Sequence, residues 1–380
     1  MREPSARIDE IQILRALAAL AIVIHHGLHE ARPSAMELGA GPAAPALSPF
    51  AAGVDLFFVI SGFVMVHAAR DLFGRWEAPL RFLRRRSLRI VPLYWAATML
   101  VLAGAILVPG AVSGPPPELG TTLASFAFIP APRADGNVEP LYSLGWTLNY
   151  EMFFYAVFAL FLPLRRKAAL AGTGFALAGL AAWGSLAAPA SPTLAFWSAP
   201  IILLFVAGMG IAVLRQGGAA LPAWLRGGMA IAACLFLAFD PLGLMRELPG
   251  GGQGGGMARL LAWGAPATLL VAAACLGKEG APRRPRLDAL RMRLAQLGDA
   301  SYALYLVHPF VLKPLHWALS AAGLQPLAGG PAFAALGAVC SSLAALAVHH
   351  LAERPVSAWL RARSVEVRAR SWNGEAKLKA

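Results

Sequence analysis

The chain has 380 residues, of which 58% are hydrophobic and only 14% charged. Apolar runs long enough to cross a bilayer recur from end to end, which excludes an ordinary soluble domain and predicts an all-α, polytopic membrane protein in contact with lipid. The net charge of +13 does not point to nucleic acid, because the basic residues fall between the apolar runs.

About ten transmembrane helices are expected, at roughly 11–29, 50–69, 88–109, 141–164, 168–187, 197–214, 228–243, 257–276, 300–320 and 330–352. Most of the Lys and Arg residues fall on one side of this alternation, which places the N- and C-termini in the cytoplasm by the positive-inside rule. Arg32, Arg133, Arg246 and Arg259 are left on the outer side, with Arg15 and Lys313 inside spans. The segment 121–130 is too short to span. The first apolar run lacks a small-residue cleavage site and reads as a span, not a signal peptide. The outer loops at 33–49, 110–140 and 250–256 are Pro- and Gly-rich connectors. Residues 1–356 are expected to form one membrane-embedded domain and 357–380 a basic, flexible cytoplasmic tail. No internal repeat suggests the two halves of a transporter. Cys234, Cys275 and Cys340 lie in apolar runs and read as small core residues; no metal-ligand spacing occurs.

The first span, ILRALAALAIVIHHGLHE at 13–30, carries Arg15 near its start and His25, His26 and His29 near its end. Ionisable groups inside a bilayer are costly and mark function by default. Arg15 and His26 lie within roughly 20° of one another around the helix and about 16 Å apart along it. One helix thus offers a cation near one membrane surface and an imidazole near the other, as suits two substrates arriving from opposite sides.

The second span opens with GVDLFFVISGFVM at 53–65. Asp55 lies at a depth similar to His26 and either orients that imidazole or caps its own helix. Ser61 and Gly62 suit close helix packing. In RFLRRRSLRIVPLYW at 81–95, Arg86 and Arg89 face one way, and Pro92 sits in the first turn of the third span. Such a pair can hold the phosphates of coenzyme A or flank the membrane against anionic headgroups, the role left to Arg81, Arg84 and Arg85.

The fourth span begins LYSLGWTLNYEMFFYAVF at 141–158. Glu151 sits deep in the bilayer and needs a partner, either Arg15, a histidine or water; a structural ion pair is as good a reading as a catalytic one. Trp146 is expected at the outer interface. In the ninth span Ser301, Tyr305 and His308 form one polar stripe facing the bundle; His308 reads as a satisfied core group or as a base. His349, His350 and Glu353 are placed at the inner surface.

In order, RALAALAIVIHH, GVDLFFVISGF, RRSLRIVPLYW, SLGWTLNYEMFFY, DASYALYLVHPF and AERPVSAW resemble the acyltransferase 3 family of bacterial integral membrane proteins, most closely its exopolysaccharide-production branch. The resemblance runs from about residue 8 to 356. It implies a multi-pass protein of the bacterial inner membrane that moves an acyl group, usually acetyl from acetyl-CoA, to sugars of surface polysaccharide, lipopolysaccharide or lipid-linked precursors. The family's arginine and histidine with ten residues between fall on Arg15 and His26, leaving His25 as a neighbour. Its R-x-x-R-I-x-P element falls on Arg86 and Arg89 as coenzyme A ligands, and Glu151 and His308 match further family positions. Some relatives add an extracytoplasmic hydrolase-like domain, which is not expected here.

The resulting expectation is a catalytic group of His26, Arg15, Asp55 and Glu151. Arg86, Arg89 and Arg15 would hold the acyl-CoA, and Tyr305, His308 and Trp146 would lie toward the acceptor, with Tyr305 a candidate oxyanion donor. The rival from another class is a polysaccharide or small-solute transporter relaying protons through Arg15, Glu151 and His308.

Overall fold

The computed structural model describes residues 8–31, 48–108, 110, 112, 114–248, 256–278, 285–324, 327, 329–360 and 362–363. Expectations for Arg32, most of the 33–49 and 250–256 loops and most of the tail lie outside the described residues. Among the described residues every regular element is helical. Among them, seven segments are long and apolar enough to cross a membrane: Asp9–Glu30, Pro49–Ala68, Ala78–Leu107, Arg166–Ala187, Pro192–Gln216, Gly256–Cys275 and Gly330–Leu360. Large side chains such as Leu160, Phe175, Leu186 and Trp317 point outward. Such an apolar exterior is that of a multi-pass membrane protein.

Helix α1 (Asp9–Glu30) is the central pillar. It opens on Asp9 and Glu10, acids that complement the positive end of the helix dipole. It packs against α2 (Gly53–Ala68), α11 (Ala265–Cys275), α12 (Pro285–Asp299), α13 (Ser301–Ala321) and α14 (Gly330–Val348). The packing is close because small residues face it. A Cβ on Gly53 would lie 2.5 Å from the Ala18 carbonyl oxygen, and one on Gly298 would lie 1.9 Å from that of Gln12. The segment 277–299, read from the sequence as a plain inner connector, therefore contains a docked helix, also tied down by Arg291 donating to Glu10 at 3.0 Å. Its poor apolarity hid it, since what it buries lies mainly along α1.

Helix α3 (Ala78–Leu107) begins well before the span predicted at 88–109. Its apolarity starts late because the basic run 81–89 forms its first turns. Pro92 is consequently interior, not in the first turn; Pro79 takes that place, where a missing N–H costs nothing. The short helix α4 (Leu119–Phe126) takes up the first part of the segment judged too short to span.

Helices α5 (Trp146–Phe161), α6 (Arg166–Ala187), α7 (Pro192–Trp197), α8 (Leu203–Gln216) and α9 (Ala223–Phe239) follow. α5 (16 residues), α9 (17 residues) and α13 occupy the three predicted spans not among the seven long apolar segments. α2 and α8 touch backbone to backbone. A Cβ on Gly62 would sit 2.0 Å from the Phe205 carbonyl oxygen, and one on Gly208 1.9 Å from that of Val59, as small residues permit in membrane bundles.

A short α10 (Gly256–Arg259) leads through a π-turn, Leu260–Gly264, into α11. A second π-turn, His349–Glu353, ends α14. There His349 and Glu353 pair at 2.7 Å with little side-chain exposure, 12% and 10%, while His350 is exposed.

Candidate active site

A cavity opens in the bundle toward each end of α1. The cavity at the Arg15 end, about 770 Å³ of empty space with open solvent included, is walled by α1, α2, α3, α5 and α13. Arg15, Arg86, Arg89 and Glu151 line it together, as does Tyr302. Arg15 donates from Nε to Ser301 Oγ at 3.1 Å. Glu151 accepts from Ser61 at 3.0 Å and from Tyr155. Glu151 thus faces Arg15 across the cavity but hydrogen-bonds to hydroxyls, neither to Arg15 nor to a histidine. Arg86 leans on the Phe82 ring at 5.8 Å, and its buried Nε has no hydrogen-bond partner among the described residues. Three guanidiniums against one carboxylate, with a buried donor unused, suit a polyanionic ligand such as the phosphates of an acyl-CoA.

The second cavity, about 2420 Å³ of empty space with open solvent included, lies at the His26 end. His25, His26 and His29 of α1 line it, with Arg133, Asp135 and Glu139 from the loop before α5 and Lys313 from α13. Arg133 pairs with Glu139 at 3.8 Å. Burial raises the Glu139 carboxyl above its usual range against the pull of Arg133. Asp135 is held below its usual range, chiefly by the Asn137 backbone N–H that donates to it at 3.0 Å.

The cavities abut at two shared wall residues, Val54 and Tyr305. The Tyr305 hydroxyl donates to the Leu144 carbonyl at 2.8 Å and accepts from Thr147 at 2.9 Å. The stripe predicted on α13 is real: Ser301, Tyr305 and His308 are all buried and face inward. Ser301 meets Arg15, Tyr305 divides the cavities, and His308 meets His26, its Nε2 lying 3.1 Å from His26 Nδ1. The same His308 ring places Nδ1 3.2 Å from the Leu304 carbonyl.

Asp55 departs from expectation. It neither caps its helix through its side chain nor contacts His26; its carboxylate is clasped by Arg259, at 2.8 and 3.2 Å, with Asp55 fully buried and Arg259 nearly so. Arg259, placed by the sequence on the outer side, lies between the rings of Trp146 and Trp263, at 5.4 and 4.9 Å from their centroids. Trp146 is therefore 8% exposed and inside the bundle, not at the lipid interface. A charge needs a counter-charge in a medium without water, and Arg259 and Asp55 supply each other. The signal that could have found the pair was opposite charges at similar depth on the second and eighth predicted spans. The π-turn that follows Arg259 directly is the kind of helix defect that often marks such sites.

Fold and site together define a multi-pass membrane protein with a charged, two-compartment interior. Comparison with known proteins narrows the class: the profile of the acyltransferase domain matches residues 8–350, and the chain belongs to the acyltransferase 3 family. It is 36% identical over 321 residues to the exopolysaccharide production protein ExoZ of Rhizobium meliloti, covering 83% of this chain and 92% of that one, which places it in the exopolysaccharide-production-like branch. The acyltransferase MdmB of Streptomyces mycarofaciens is 28% identical over 313 residues, covering 72% of this chain and 74% of the relative. Protein 2 in the picA locus of Rhizobium radiobacter is 32% identical over 173 residues, 42% of this chain and 84% of that one. No solved structure matches. The chain is a membrane acyltransferase.

Proposed function

We propose that the chain is an O-acyltransferase of the bacterial inner membrane, with all ten predicted helices spanning and both termini cytoplasmic. It moves an acyl group, most simply acetyl, from acyl-CoA on the cytoplasmic side to a hydroxyl of surface polysaccharide, lipopolysaccharide or a lipid-linked sugar. The observation that carries this reading is the division of labour along α1: Arg15 stands with Arg86 and Arg89 in one cavity, His26 stands in the other, and the cavities abut at Tyr305 and Val54.

Arg86 and Arg89 hold the coenzyme A phosphates, and Arg15, steadied by Ser301 and the field of Glu151, guides the pantetheine arm. The thioester reaches the Tyr305 junction. There His26 takes the proton of an acceptor hydroxyl, whose oxygen attacks the thioester carbonyl. Tyr305 donates to Leu144 in the present state; it can reach an oxyanion only by releasing that carbonyl. Transport by a proton relay through Arg15, Glu151 and His308 has less support, since these three hydrogen-bond to separate partners and not to one another.

The test is His26→Ala in membranes supplied with labelled acetyl-CoA. Loss of label transfer from a folded variant is expected; retained transfer removes His26 from the scheme. Loss of an ester from the surface glycans of a deletion strain would identify the acceptor, and solute flux through proteoliposomes without coenzyme A release would favour the transporter instead.

A further inference from the structure

His26 can act as a base through one ring nitrogen only if the other holds the proton, and nothing in its own helix decides which. The decision lies in α13. A carbonyl oxygen only accepts hydrogen bonds, so His308 Nδ1, 3.2 Å from the Leu304 carbonyl, carries a hydrogen. In a neutral His308 the lone pair is then on Nε2, which lies 3.1 Å from His26 Nδ1. Two lone pairs would repel at that distance, so His26 Nδ1 must carry the hydrogen and donate it. A doubly protonated His308 would reverse the bond, but it would bury a charge in a 0%-exposed ring with no carboxylate bonded to it. The remaining nitrogen, His26 Nε2, has no protein partner among the described residues, and its side chain lines the large cavity. The rings that face the pair are His25, 5.2 Å from His26, and Tyr305, 6.2 Å from His308.

We infer that His308 is the positioning residue of the acyl transfer, fixing His26 in the Nδ1–H form so that Nε2 presents its lone pair to the acceptor. This rests on the reading of His26 as the base. Asp55, the carboxylate otherwise suited to the task, is committed to Arg259.

The step balances as follows. The acceptor O–H gives its proton to His26 Nε2 while its oxygen forms the C–O bond to the thioester carbonyl carbon. The C–S bond then breaks, and the departing coenzyme A sulfur takes the same proton from Nε2. In between, the imidazolium keeps its Nδ1–H bond to His308. Without His308, the ring reverts toward the Nε2–H form that a histidine side chain prefers in water, with the lone pair turned away from the acceptor.

The experiment uses the full chain in membranes with labelled acetyl-CoA and endogenous polysaccharide. His308→Phe keeps a buried ring but no acceptor; it is expected to lower kcat by about 10²- to 10⁴-fold, the range of losing proton transfer or a correct tautomer, with the KM for acetyl-CoA unchanged. His308→Gln, whose amide oxygen can accept from Nδ1–H, is expected to recover to within about tenfold of wild type. ¹⁵N NMR of histidine-labelled wild-type protein should show His26 protonated at Nδ1 and bare at Nε2, independent of turnover. The inference is overturned if His308→Phe is as active as wild type while His26→Ala is inactive, if folded His308→Gln is as inactive as His308→Phe, or if His26 is protonated at Nε2. An active His26→Ala would instead overturn the base reading itself.

Discussion

Two groups of arginines stand at opposite ends of this bundle, one buried and one half-buried, and their charge is matched differently. Arg259 has one carboxylate held by two hydrogen bonds and two indole faces beside it. Arg15, Arg86 and Arg89 share a cavity with one carboxylate, Glu151, which spends its hydrogen bonds on Ser61 and Tyr155. Charge that is matched where it lies holds helices together; charge left in surplus around a space is arranged for something that enters it. The first arrangement is architectural; the second is the one proposed above to hold the acyl-CoA phosphates, although both place arginine inside the bundle.

The comparison breaks most sharply at the matched pair. Asp55→Ala or Arg259→Ala strands a buried charge and should cost about 3–5 kcal/mol, seen as a fall in the unfolding temperature of purified protein. Equal stability would mean that the pair is not architectural. Removing both partners together should cost less than the sum of the single losses, because neither charge is then stranded.

Next in size, Arg86→Ala and Arg89→Ala should each weaken acetyl-CoA binding by about 10- to 100-fold, the worth of about 1.5–3 kcal/mol for hydrogen bonds to charged groups, with little change in unfolding temperature. Calorimetric titration checks this, and unchanged affinity would return both residues to the lipid flank. Ser301→Ala takes away the acceptor that steadies Arg15 and should raise the KM for acetyl-CoA by about fivefold, or about 1 kcal/mol, with kcat barely altered. A kcat loss alone would place Arg15 nearer the chemistry.

The smallest effect belongs to the loop ion pair at the other cavity. The Glu139 carboxyl is raised by burial, so its stabilising contribution is present below its unfolded value and lost as pH rises through the folded one. Glu139→Gln mimics the protonated form. It should stabilise slightly at neutral pH, by less than about 1 kcal/mol, and make no difference in acid. Destabilisation at neutral pH would show that the bond to Arg133 outweighs burial.

Much of the molecule was legible before folding. Helices long enough to span are written as local composition, because a bilayer tests each segment by its own apolarity. The Arg15–His26 spacing on α1 and the Ser301–Tyr305–His308 stripe were equally plain, since a 3.6-residue period fixes a face without reference to any other helix. The start of α3 and the presence of α12 were obscured for the same reason, because neither is locally apolar and both form against neighbours.

What the sequence by itself determined, then, is the all-helical membrane architecture, the family and the residues that carry charge into the bundle. Tertiary structure alone decided who meets whom: that Asp55 goes to Arg259 and leaves His26 to His308, that Trp146 turns inward, and that Glu151 answers to hydroxyls. Partner choice inside a membrane follows from helix rotation and close packing at residues such as Gly62, Gly208 and Gly298, which no single segment encodes. Each buried polar group must find its counterpart among the faces that packing happens to present.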